Sequence, residues 1–154
     1  MGWVSLSLRK QTLKECISTE ELRLLHISRQ IRGAQRELSY EKSVFTRDKN
    51  EELKFASQEY DELREDRPSL DSSRYDDWKE KYDDARIEYE REKVEINEYY
   101  DQQMSDLEQE AQDMQSQLED EQTQIEAQKK AMEAELQTVS EAIQQEIQNS
   151  AIKL

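Results

Sequence analysis

Side chains whose type and spacing could support chemistry are scarce in this sequence. His26 is the only histidine. A Ser-His-Asp triad or a histidine-rich metal site needs partners that a single imidazole does not have. A di-iron carboxylate bundle needs two Glu-x-x-His motifs, and the residue three before His26 is Arg23. Paired acids at Asp76–Asp77, Asp83–Asp84 and Glu119–Asp120–Glu121 would attract divalent cations, but no glycine-turned Asp-x-Asp-x-Asp-Gly loop surrounds them. The only glycines, Gly2 and Gly33, leave no phosphate-cradling loop. No catalytic residue, metal ligand or cofactor site follows from these residues, and the expectation is a protein that is not an enzyme.

Two further groups invite a binding role. Arg29, Arg32 and Arg36 recur at three- and four-residue spacing, which suits either phosphate or an acidic arm of a neighbouring subunit. A formal net charge of -15 repels nucleic acid, so contact between subunits is the preferred reading and no nucleic-acid partner is expected. Tyr60, Tyr75, Trp78 and Tyr82 gather in one region, either as a recognition tip or as bulky closure of a helical pair; buried area favours closure. Cys16 is the only cysteine, so an internal disulfide framework is excluded.

The elements that carry these residues are legible from apolar spacing. Tyr75, Trp78, Tyr82, Ala85 and Tyr89 step by three and four. Tyr100, Met104, Leu107, Ala111, Met114, Leu118, Ile125, Met132, Leu136, Val139, Ile143 and Ile147 continue the step. Leu24, Ile27, Ile31, Ala34, Leu38 and Phe45, then Leu53, Ala56, Tyr60 and Leu63, do the same earlier in the chain. Such a narrow seam buries itself against another helix. Charged residues make up 38% and apolar ones 34%, too few for a globular core. Disorder competes with this reading on composition, but sustained periodicity with two Gly and one Pro favours long helices.

Pro68 is the one strong break, and Asp71, Ser72 and Ser73 are candidate N-caps for the helix after it. The predicted fold is all-α: an elongated antiparallel helical hairpin, a coiled coil, with a protruding C-terminal helix. Its parts are a short N-terminal helical segment at 1–17, a first arm at 18–67, a turn at 68–72 and a second, acidic arm at 73–154. The boundary at 17 rests on Ser18-Thr19-Glu20-Glu21, which has capping-box form. Residues 1–67 carry equal numbers of acids and bases, so the second arm holds the whole negative excess. Centring the turn near Ser69 pairs Leu63 with Tyr75, Tyr60 with Trp78, Leu13 with Ile125 and Leu6 with Met132. In that register Thr138–Leu154 extends past the hairpin with Val139, Ile143, Ile147 and Leu154 along one side. An isolated helix of this length is marginal in water, so these four residues are predicted to mediate self-association.

The expected function is therefore structural: self-assembly into a homo-oligomeric bundle, ring or filament through amphipathic terminal helices, with Arg29, Arg32 and Arg36 as an inter-subunit electrostatic contact. The arrangement resembles the hairpin subunits of type III secretion needles and filaments, a likeness of architecture carried by the C-terminal overhang. That resemblance implies a polymer core made by terminal helices and export without a cleaved signal. The alternatives are an acidic helical adaptor or capsid-scaffolding protein docking another helical protein, and a hairpin-type holding chaperone. No membrane span and no signal-peptide pattern is apparent, so the location expected is cytoplasmic by default or outside by a signal-independent route.

Overall fold

The computed structural model describes residues 2–152. They form two α-helices, α1 (Trp3–Glu65) and α2 (Tyr75–Ile152), packed against each other as an all-α helical hairpin. Helix α1 runs unbroken through Ser18, so the expected separate segment at 1–17 belongs to the first arm. The Thr19 hydroxyl donates back to the Glu15 carbonyl at 3.0 Å, the bond of a residue inside a helix and not of one that starts it. Gly33 marks no close approach, since a Cβ there would meet nothing within 4 Å.

The connection is longer than the sequence suggests, because α1 stops at Glu65 and α2 starts only at Tyr75. Pro68 bars helix at Arg67, and the last bond of the arm runs from Asp66 N to Glu62 O at 3.1 Å. Ser72 shapes the turn without capping α2 directly. Its Oγ accepts from Arg74 N at 3.3 Å, while its carbonyl accepts from Tyr75 N at 3.1 Å. Arg74 occupies the cap position, its carbonyl taking the first helical bond from Trp78 N. Asp76 and Asp77 lie in the first turn of α2, where exposed amides favour anions.

Contacts divide the hairpin into two compact units. One is Arg36–Ala111 with the turn; the other joins the described residues up to Gln35 with those from Gln112 onward. In the turn unit the aromatics close the helical pair. The Trp78 indole donates to the Leu63 carbonyl at 2.7 Å, satisfying a group that the end of α1 leaves free. Trp78 stacks on Tyr82, and Tyr82 meets Tyr60 through rings 5.2 Å apart and hydroxyls 3.0 Å apart. Tyr60 also stacks on Tyr89, and Phe45 meets Tyr100 edge-on.

The other unit holds the most buried apolar cluster, Leu6, Leu13 and Val139, with Met132, Leu136, Ala142 and Ile143 packed against it. Ile17, Ile27 and Ile125 are buried in the same unit. Its seam steps four then three from Ala111 to Leu118, where the apolar pattern reads three then four, and steps three after Ile143, where the pattern reads four. Gln115 and Glu146 thus turn inward, while Met114 and Ile147 are exposed. Glu20 is also buried, 7% exposed, with both carboxylate oxygens 3.1 Å from Arg23 Nη1.

The register differs from pairing about Ser69. Trp78 meets Leu63, and Leu13 shares its cluster with Met132 and Val139, up to two heptads beyond Ile125. A heptad seam slid by one repeat matches itself, so apolar spacing cannot choose among such alignments. Polar pairs choose. Lys129 reaches Glu21 at 3.4 Å and Arg9 reaches Glu135, while Lys42 reaches Glu108 at 2.8 Å. Pairing about Ser69 would instead set Arg9 against Lys129. Exposed pairs are worth only about 0.2–1 kcal/mol each, but that is enough when the apolar burial is tied.

Candidate association surfaces

The hairpin consumes part of the surface expected to bind another copy. Val139 is 8% exposed against Leu6 and Leu13, and Ile143 packs on the same cluster. The predicted overhang therefore starts later than Thr138, which also weakens the likeness to secretion-filament subunits that rested on it. Ile147, on the outer side of the 4-3 seam, is 59% exposed. Leu154 lies outside the described residues.

Arg29, Arg32 and Arg36 are all exposed on α1. Arg32 Nε donates to the Ser28 carbonyl at 3.4 Å, and none of the three forms an ion pair among the described residues. One and two turns before Arg29, on the same outer face, stand Leu25 and Leu22, both exposed. That face combines uncovered leucine with unneutralised guanidinium. Composition and seam-finding missed Leu22 and Leu25 because they lie off the main stripe; a second period-3.6 row, Leu22, Leu25, Arg29, Arg32, was the available signal.

In the turn unit the opposite combination occurs. Phe55 is 78% exposed and borders three surface hollows. On its own helix it is flanked by Glu51, Glu59 and Glu62, all exposed and without an ion pair among the described residues. Glu62 accepts only a Gln58 amide at 3.3 Å.

The most perturbed titratable group belongs to the core and not to either surface. The Tyr100 hydroxyl donates to Glu52 Oε1 at 2.7 Å. That bond, with burial and the nearby carboxylates, pushes its pKa up to about 12. The raised value means the protonated phenol is the form that fits the fold. This contribution is complete below the ordinary tyrosine pKa near 10 and is lost as pH rises through about 12. Ultraviolet titration should thus show a late tyrosine transition at about 12, and Glu52→Gln should move that transition to lower pH. A titration with no such late transition, or one that Glu52→Gln leaves in place, would contradict the bond.

His26 is exposed, and no group of three or more His, Cys, Asp or Glu among the described residues is placed to hold a metal ion. Cys16 is a free, half-buried thiol. No helix among the described residues is long and apolar enough to cross a membrane. Compared with known proteins, the chain matches no family model, and no curated protein or solved structure is detectably similar to it.

Proposed function

We propose that this protein is a non-enzymatic structural coiled coil that associates with further copies of itself. The observation that supports this most is the row of large side chains at helical spacing that the hairpin leaves bare on α1, Leu22 and Leu25 followed by Arg29 and Arg32, with Ile147 exposed on α2. Single exposed leucines are ordinary on any surface, but rows at helical spacing are the form in which one helix meets another. With Val139 and Ile143 engaged in the hairpin's own cluster, Ile147 and Ile152 are the large apolar groups of the terminal helix left for a neighbour.

Light scattering after size exclusion, over a concentration series, tests this reading. The mass should climb above the 18.4 kDa monomer as concentration rises. Ile147→Glu, at an exposed position, should shift that rise to roughly tenfold higher concentration, as loss of one apolar contact of about 1–2 kcal/mol requires. A monomer at every concentration would overturn self-association and leave the acidic adaptor as the better reading.

A further inference from the structure

Building on the self-association just proposed, we infer which faces meet: the Leu22–Leu25–Arg29–Arg32 face of one copy docks on the Phe55 face of a second copy. Both are outer rows of α1. Spacings of three, four and three place Leu22, Leu25, Arg29 and Arg32 on one side of the helix. Phe55 follows Glu51 by four residues and precedes Glu59 and Glu62 by four and seven, which puts the aromatic ring and the acids on one side as well.

Each face carries what the other lacks. Leu22 is 67% exposed and Phe55 78% exposed, so each is a large apolar group still in water. The guanidinium pair beside the leucines has no carboxylate among the described residues, and Glu51, Glu59 and Glu62 have no cation there. Seating Leu22 and Leu25 against Phe55, with the two helices parallel, brings Arg29 and Arg32, one to two turns further on, over Glu59 and Glu62. The apolar centre excludes water and the charges form the rim, the usual division of labour in an interface. A basic face of similar pattern on an unrelated protein would satisfy the acids, but this chain already supplies one.

The contact is heterologous, since two different faces meet. Every copy that uses one face still offers the other, so the contact propagates into a ring or an open filament instead of stopping at a dimer.

The experiment exchanges charge between the faces. R29E/R32E and E59R/E62R are prepared separately, with circular dichroism confirming that each remains helical, and association is followed by sedimentation. Each variant alone should associate at least tenfold more weakly than the wild type, because like charges then face each other. An equal mixture should recover wild-type association, because each variant's altered face complements the other's. Phe55→Ala should weaken association about thirtyfold, the effect of losing an aromatic anchor. If the wild type associates but these variants do so equally well, or the mixture fails to recover, the pairing of faces is wrong while self-association stands. A wild type that never associates overturns both.

Discussion

Replacing Leu13 with alanine is expected to lower stability by about 2–5 kcal/mol, the range for emptying a leucine site in a packed core. Leu13 is only 2% exposed, the lowest value in the buried core, and it joins Leu6 and Val139 where few other side chains are fully enclosed. A two-helix seam has no second layer to collapse into the gap, so the loss should fall toward the upper end. The unit that holds Leu13 should also respond first. Amide exchange should accelerate in the residues up to Gln35 and from Gln112 onward, with Arg36–Ala111 less affected. Chemical denaturation supplies the magnitude and exchange mass spectrometry the location. A loss below about 1 kcal/mol would mean that the Leu6–Leu13–Val139 cluster is not the anchor of its unit.

Glu20→Leu should do the reverse to stability and damage to specificity. Glu20 is 7% exposed at a seam position, and its carboxylate is held by Arg23 at 3.1 Å. Removing a charge from a buried site in favour of a side chain that packs there is often stabilising, by about 1–4 kcal/mol. With leucine at 20 the seam gains another apolar rung, and the heptad-shifted alignment becomes competitive. Nitroxide labels at exposed Thr12 and Thr138, with Cys16 replaced by alanine, should report one distance in the wild type. In the Glu20→Leu variant a second population should appear about 10 Å away, the rise of seven helical residues. A destabilised variant, or a single unchanged distance, would show that Glu20 does not set the register.

Both effects mark the boundary between what periodicity reveals and what it hides. Ile27, Tyr100 and Ile125 are buried as the three-and-four step implies, and Pro68 ends the first arm as its ring requires. Met114 and Ile147 were assigned to the seam and are exposed, because a step of three or of four is equally helical and only the partner helix decides which is taken. Ile17 and Glu20 escaped notice for the complementary reason: one falls between recognised apolar positions, and the other is a charge in an inward position.

The exposed faces were partly readable. The exposed row of Arg29, Arg32 and Arg36 is where spacing placed it. Phe55 was passed over, since an aromatic among acids at helical spacing has no meaning until the faces of the hairpin are known.

By itself, then, the sequence determined that two long helices fold back on one another, because apolar residues at helical spacing on both sides of one proline have no other way to leave water. The tertiary structure decided the alignment of those helices and hence which residues remain outside. A heptad seam is nearly degenerate under sliding, and the ties are broken by interactions between residues far apart in the chain: Lys129 with Glu21, Arg9 with Glu135, and Trp78 with the Leu63 carbonyl. Those contacts turned Val139 and Ile143, which spacing alone placed past the hairpin, into core.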